Sequence, residues 1–289
     1  MCDVRRANSL HRAGAPQGAR SRLLALLMAL AMTPAVTAAQ GNAPAGSAPV
    51  TTPAAAPTAG PTSALPAALS PFEASYSWYW RGMRVAVSTM SLQHRDDDIW
   101  VYSSSTSPRG IGRLYPMRPK LLSVMRLLPH GLVEPLNFSA TGSGADHDAS
   151  VMFDWTADRA IGVYEGTRVD LPISPGVQDD LSVQIAMLAQ LLQGRTPDMA
   201  MELNHNAVRK YEYTRDGSAR LDTSLGAVQT IIYLAQHPGS PRITRFWCAP
   251  SLGYVPMQVQ QTRLKSVEWT LKIRTLKRGA DEHPPPPAP

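Results

Sequence analysis

The sequence has few cysteines and no long apolar run, and both absences limit what the protein can be. Only Cys2 and Cys248 occur in 289 residues. Cys2 precedes the apolar core of an amino-terminal leader and would be removed with it, so a single cysteine remains and no internal disulfide can form. Spanning a bilayer takes ~20 apolar residues. No stretch is that long, so we expect no transmembrane segment once the leader is cleaved.

Motifs of catalysis and cofactor binding are missing as well. There is no Gly-x-Ser-x-Gly elbow, phosphate-binding loop or dinucleotide fingerprint, and no two histidines stand at a spacing typical of a metal site. Charged residues make up only 17% of the chain. We therefore predict a protein that is not an enzyme and that has neither cofactor nor metal.

The amino terminus has the pattern of a secretory signal peptide. Five arginines precede the apolar run at 23–32, and small residues follow at 36–39. Removing residues 1–39 lowers the formal charge from +6 to +2, which argues against nucleic acid as a partner. We predict an exported protein, most plausibly periplasmic, with secretion or attachment to the envelope as alternatives.

The rest of the chain divides by composition. Residues 40–71 are mainly Ala, Pro, Thr, Gly and Ser without charge, which predicts a disordered linker, and 279–289 form a Pro-rich tail of the same kind. Between them, residues 72–278 are predicted to form a single β-rich domain.

Residues 178–194 predict the one long helix of this domain. Asp179 or Asp180 can cap its start and Gly194 can end it. Seventeen residues would span roughly 24 Å at 1.5 Å per residue. Because a helix that is apolar on most sides is normally buried on most sides, we expect it at the centre of the fold. Its apolar positions form two stripes: Leu181, Ile185, Leu188 and Leu192, and then Val183, Met187 and Leu191.

Nearly everything around that helix alternates as β-strands do. Phe72, Ala74, Tyr76 and Trp78 alternate with more polar residues, and Asp216-Gly217 predicts a hairpin turn between strands at 208–215 and 218–224. The predicted fold class is mainly antiparallel β with a minor α+β character. We expect a curled sheet, or open half-barrel, wrapped around one long central helix.

Two groups of residues are candidates for a site. Asp154 and Asp179 could form a hydrolytic carboxylate pair if their strand and the helix start meet, although each also suits a structural role in a turn or cap. Trp247, Tyr254 and Gln178 are candidates for ligand binding, with packing of a strand corner as the alternative for the two aromatic residues.

A spaced set of sequence features resembles an exported bacterial family of unknown function, domain of unknown function 3108. The likeness covers most of residues 72–278 and departs from the expected pattern at Cys248. It implies no activity, and it suggests a shape similar to the open β half-barrels of lipoprotein carriers. The features are the Gly82 hairpin after an aromatic strand, Phe153-Asp154-Trp155, Leu171-Pro172 leading to Gln178-Asp179, Thr223 with Gly226, Trp247-Cys248-Ala249-Pro250 and Gly253-Tyr254-Val255-Pro256.

These features favour a non-catalytic, exported binding or assembly module of the cell envelope. A lipid or lipoprotein held on the concave sheet, or an envelope protein, is the expected partner. Two alternatives stay open: an envelope hydrolase of glycan or peptide that uses Asp154 and Asp179, and a structural scaffold.

Overall fold

A computed structural model describes residues 69–95, 98–115 and 117–279. The predicted leader and nearly all of the predicted linker and tail lie outside this part of the chain. Within it, no helix is both long and apolar enough to cross a membrane. The one α-helix described is α1 (Ser182–Leu192), and the strands are β1 (Phe72–Trp80), β2 (Met83–His94), β3 (Ile99–Pro108), β4 (Lys120–Leu127), β5 (Val133–Thr141), β6 (Ala149–Asp154), β7 (Arg159–Tyr164), β8 (Thr167–Pro172), β9 (Val177–Gln178), β10 (Met199–Asn204), β11 (Ala207–Thr223), β12 (Gly226–Gln236), β13 (Arg242–Cys248), β14 (Pro256–Arg263) and β15 (Ser266–Arg278).

All these strands belong to one sheet, as predicted from their alternation. Its order is β8-β7-β6-β5-β4-β3-β2-β1-β15-β14-β13-β12-β11-β10-β9. Every neighbouring pair is antiparallel except β9 and β10, which are parallel. The sheet is therefore two meanders, β1–β8 and β10–β15, which join where β1 pairs with β15.

The connection between β8 and β9 forces this sheet to curl. Fifteen strands at about 4.8 Å spacing would put the two outer strands roughly 65 Å apart in a flat sheet. Yet β8 ends at Pro172 and β9 begins at Val177, and the chain between them spans less than about 20 Å. The two edges must therefore come close together, and the sheet remains open only between β8 and β9.

The helix is at the centre of this curl but is shorter than predicted. It has 11 residues, about 16 Å at 1.5 Å per residue, so the expectation of one long central helix is wrong. Gln178 belongs to β9, and the Asp179 carboxylate accepts the backbone N–H groups of Leu181 and Ser182, each at 2.8 Å, so it caps a helix that begins at Ser182. The first residues of the predicted helix are thus its cap and the strand before it.

The helix end agrees with the prediction. Gly194 has a φ of +72° and donates to the carbonyl of Leu191, while the N–H of Arg195 donates to the carbonyl of Gln190. This pair of bonds is a Schellman motif, which satisfies carbonyl groups that the end of a helix leaves free.

Both apolar stripes of the helix are buried, against different parts of the sheet. Leu181, Ile185 and Leu188 belong to the main core with inward side chains of both meanders. Met187 and Leu191 pack with Tyr233 and Cys248. Cys248 is a free, fully buried thiol, and burial raises the pKa of that thiol.

The predicted hairpin at Asp216-Gly217 is wrong. The strand β11 runs through both residues, and they stand opposite the single residue Ile232 between the register pairs Arg215–Tyr233 and Ser218–Ile231. The dipeptide is therefore a β-bulge, and Gly217 supplies the positive φ, +86°. The actual turn follows Thr223, whose hydroxyl donates to the Gly226 carbonyl at 2.8 Å.

Candidate functional site

A helix of this length does not fill so wide a sheet, and a cavity remains beside it. The cavity has a volume of about 90 Å³ and lies between α1 and the inner face of β1–β3 and β10–β15. Its wall is mainly apolar and aromatic, with Phe72, Met90, Ile185, Phe246 and Val259 among its members. Such a wall suits the hydrophobic part of a small molecule.

One part of this wall is acidic. Asp180, at the start of α1, and Glu202, on β10, both line the cavity. Their exposed fractions are only 5% and 4%. The local structure explains why they meet, because Gln178 pairs with Glu202 in the short parallel bridge of β9 and β10, and Asp180 follows two residues later. Among the described residues that line the cavity, these two are the only ones that carry a charged group.

The two carboxyl groups interact directly. Each is close enough to perturb the other, because two carboxylates that are buried together repel each other when both are charged. Burial raises the pKa of Asp180 to about 7; the hydrogen bond from Tyr164 opposes this rise, and the charges of Asp179 and Glu165 add to it. Burial and then the charge of Asp180 raise the pKa of Glu202. The pair therefore retains a proton well above the pH at which free carboxyl groups lose theirs.

The remaining oxygen atoms of Asp180 differ in their contacts. The hydroxyl of Tyr164 donates to Oδ2 at 2.5 Å. Oδ1 is buried and receives no hydrogen bond from an N–H or hydroxyl donor in the described part of the chain. Because buried polar atoms are normally satisfied, Oδ1 depends on a bound proton or on a ligand for a hydrogen bond.

Asp179 is buried beside this pair, but both of its carboxylate oxygens accept hydrogen bonds. The hydroxyl of Ser123 on β4 donates to its Oδ2 at 2.6 Å, and its Oδ1 accepts the first amides of α1. Burial raises the pKa of Asp179, and these hydrogen bonds oppose the rise. Its position joins the helix start to the first meander.

Asp154, the proposed partner of Asp179, is the last residue of β6, where the turn to β7 begins. Its Oδ1 accepts the backbone N–H groups of Thr156 and Ala157 at 3.0 and 2.9 Å. These bonds hold the tight turn between β6 and β7. Among the described residues, no hydrogen bond joins Asp154 to Asp179.

The predicted binding residues are separated from one another. Trp247 on β13 is half-buried and pairs with Ile232 and Gln258. Tyr254 has a φ of +60° and packs against the cluster of Met187, Leu191, Tyr233 and Cys248. Neither is among the side chains that line the cavity.

Gln178 is close to the acidic pair through the pairing of β9 with β10. Its Nε2 donates to the carbonyl of Val133 at 2.8 Å, so it ties β9 to β5. Its Oε1 is buried and has no hydrogen-bond donor in the described ranges. Gln178 itself is not part of the cavity wall.

The sequence-based search missed Glu202, Asp180 as a site residue, and Tyr164. Glu202 had one local signal, since it stands between Met201 and Leu203 in a short run that alternates. No pattern indicated that this strand would pair beside the start of the helix. Within the described residues, no group of three or more His, Cys, Asp or Glu side chains is arranged to hold a metal ion.

Residues 75–271 match the profile of a family described as proteins of unknown function, DUF3108. The chain belongs to this family, as its sequence features predicted. A search of curated proteins finds no match.

Solved structures with related shapes have little sequence in common with this chain. A β-barrel-like protein of domain of unknown function DUF1849 from Brucella abortus is 8% identical, with a TM-score of 0.47, over 73% of this chain and 98% of the other. MucB is 10% identical, with a TM-score of 0.35, over 74% of this chain and 55% of its own. A protein from Bacteroides fragilis, named as exported and as having a YmcC-like fold, is 10% identical, with a TM-score of 0.32, over 71% and 95%.

Proposed function

We propose that this protein is a non-catalytic, exported binding module of the cell envelope, and that its cavity holds the hydrophobic part of a ligand. The observation that carries the proposal is the largely apolar cavity between α1 and the inner face of the sheet. A tightly packed interior normally leaves few voids larger than a water molecule, so a cavity of about 90 Å³ is unusual and offers room for part of a ligand.

The compartment is part of the proposal and depends on the leader. A signal peptide followed by an uncharged Pro- and Ala-rich linker suits a domain held outside the cytoplasm. A lone buried cysteine suits an oxidising compartment, because it offers no thiol for unwanted pairing. The periplasm is the compartment we favour.

Catalysis by Asp154 and Asp179 has less support. Asp154 binds the amides of its own turn, and Asp179 binds a serine hydroxyl and the helix start. A hydrolytic pair would need its two carboxylates to flank one bond. If Asp154→Asn and Asp179→Asn variants lost an envelope-hydrolase activity while they stayed folded, the catalytic alternative would replace the binding module.

The binding proposal is tested by filling the cavity. Ala235 on β12 lines it and is buried, so Ala235→Phe would place a ring in the open space. Ala227→Phe, on the same strand but exposed, is the matched control. The full chain and both variants are titrated with 1-octanol by isothermal calorimetry.

We expect octanol to bind to the unaltered chain and to the Ala227→Phe variant, and binding to be lost in the Ala235→Phe variant. Because the ring enters empty space, we also expect Ala235→Phe to unfold at nearly the same denaturant concentration as the unaltered chain. Absence of octanol binding to the unaltered chain, or equal binding to both variants, would overturn the proposal and favour a purely structural scaffold.

A further inference from the structure

We propose that the cavity selects amphiphiles that carry a primary ammonium group, and that Asp180 and Glu202 bind this group while the apolar wall holds the chain. This inference rests on the proposed function and adds the chemical class of the ligand to it. Three steps lead to this ligand class: the charge of the cavity wall, the unsatisfied oxygen of Asp180, and the fit of an ammonium group to both.

The first step is charge complementarity. The cavity wall contains two carboxyl groups and no lysine, arginine or histidine among the described residues. A ligand with a carboxylate head would meet like charge in a poorly solvated site, which is strongly unfavourable. A cationic head would meet opposite charge there, and a neutral head would gain only ordinary hydrogen bonds.

The second step is the unsatisfied oxygen. Asp180 is 5% exposed, lines the cavity, and has an Oδ1 that receives no N–H or hydroxyl hydrogen bond within the described chain. Buried polar atoms are normally satisfied. No donor in the described part of the chain reaches this atom, so a ligand in the cavity can supply one.

The third step is the donor geometry of an ammonium group. Its three N–H donors can satisfy Asp180 Oδ1, Glu202 and one more acceptor at once, in charge-assisted hydrogen bonds. The hydroxyls of Tyr211 and Tyr213, which also line the cavity, can supply that third acceptor. Alkyl alcohols offer one donor and alkyl carboxylates offer none.

Proton balance provides a second readout. The empty pair holds one proton between two carboxyl groups, and a bound ammonium cation takes its place. Binding therefore releases up to one proton to solvent, and no bond other than this O–H bond is broken. The ionisable groups that interact with the pair are Tyr164 on β7, Glu165 after it, Asp179 before α1, and Arg209, Tyr211 and Tyr213 on β11. Burial and the charges of Asp180 and Asp179 raise the pKa of Glu202, whereas the charge of Arg209 lowers it.

The experiment compares octylamine, 1-octanol and sodium octanoate on the full chain by isothermal calorimetry at pH 7.5. We expect octylamine to bind at least about tenfold more tightly than octanol, and octanoate to bind most weakly. Repeating the octylamine titration in two buffers of different ionisation enthalpy should reveal proton release on binding.

Two variants separate this inference from general hydrophobic binding. Glu202→Gln keeps the shape of the side chain and removes its charge, so it should reduce the preference for octylamine over octanol to about twofold or less. Glu212→Gln makes the same change on an exposed residue of β11 and should keep the full preference.

The outcomes are distinguishable from those of the proposed function. If octanol binds but octylamine binds no more tightly, the ammonium inference is overturned and the proposed function stands. If octylamine retains its preference in the Glu202→Gln variant, the acidic pair is not its site and the inference is likewise overturned. If none of the three compounds binds, the proposed function itself is overturned.

Discussion

Asp179 is the residue on which the start of the helix depends most. In a fully buried position it accepts the amide of Leu181, just before α1, the amide of Ser182, the first residue of α1, and the Ser123 hydroxyl. We expect Asp179→Ala to lower the free energy of unfolding by about 2–4 kcal/mol, because a cap is lost and a buried hydroxyl loses its partner. Urea unfolding followed by circular dichroism measures this change.

The matched control for that change is Asp154→Ala. Asp154 also accepts two backbone amides, but its turn is at the surface, so water can replace the lost bonds. We expect a loss of about 1 kcal/mol or less. Equal losses for the two variants would mean that burial of the cap does not increase its contribution to the free energy of unfolding.

The acidic pair makes stability depend on pH. Burial raises the pKa of Asp180 from 3.8 to about 7. Between these values the folded protein keeps a proton that the unfolded chain releases, so the stability contributed by this group is present at low pH and is lost as pH rises through about 7. We expect the Glu202→Gln variant, whose amide cannot repel Asp180, to lose less stability than the unaltered chain between pH 4.5 and 7.5.

Urea unfolding of both proteins at several pH values tests this expectation. The other carboxyl groups are the same in both, so the difference between the two pH profiles isolates the pair. The expected difference is on the order of a few kcal/mol at pH 7.5. Parallel profiles would contradict a carboxyl pair that shares a proton.

Residue roles set by local sequence were predictable, whereas roles set by pairing were not. The capping role of Asp179 follows from its place before an apolar helical run. The meeting of Asp180 with Glu202 depends on the two-residue bridge between β9 and β10, which no local pattern encodes. For the same reason the sequence offered Asp154 as a possible partner of Asp179, while the structure brings Glu202 to Asp180.

At the scale of elements, the end of the helix depends on the backbone conformation of one glycine. Gly194 has a φ of +72°, and a side chain there would meet no atom within 4 Å. Any cost of Gly194→Ala is therefore purely that of a left-handed backbone for an L-residue. We expect a loss of about 1–2 kcal/mol in the free energy of unfolding, measured in urea.

Gly279→Ala is its control, because that glycine is also free of contacts and has no left-handed backbone. We expect this variant to be as stable as the unaltered chain, within about 0.5 kcal/mol. Because Gly→Ala restricts the unfolded chain and by itself favours folding, a loss as large as that at Gly194 would show that the left-handed backbone does not determine the effect.

The glycine patterns gave the correct positions of interruptions in regular structure, but they did not always give the correct kind of interruption. Gly194 predicted a helix end and Asp216-Gly217 predicted a hairpin, since both need a positive φ. The first is correct, and the second is a bulge within β11. A bulge and a two-residue turn share this backbone requirement, so only the position of the partner strand distinguishes them.

At the scale of the molecule, alternation of side chains predicted a curled antiparallel sheet but not the order of its strands or the place where it stays open. Both depend on long-range pairing, because β1 pairs with β15 almost two hundred residues later. The length of the helix matters here as well. A helix of 11 residues fills only part of the sheet, and the cavity that carries the proposed function is the space left over.

The sheet is open between β8 and β9, so β8 is an edge strand that could pair with another molecule. Arg168 and Asp170 are exposed on β8, and charged side chains on an edge oppose such pairing. We expect the double variant Arg168→Val/Asp170→Val to self-associate as its concentration rises, measured by size-exclusion chromatography with light scattering.

The control is the double variant Lys272→Val/Arg274→Val, which adds the same apolar groups to exposed positions of β15, a strand that is paired on both sides. We expect this variant to have the same molar mass in solution as the unaltered chain. If both variants associate equally, surface hydrophobicity would be the cause, and the charges on β8 would not be what protects the open edge.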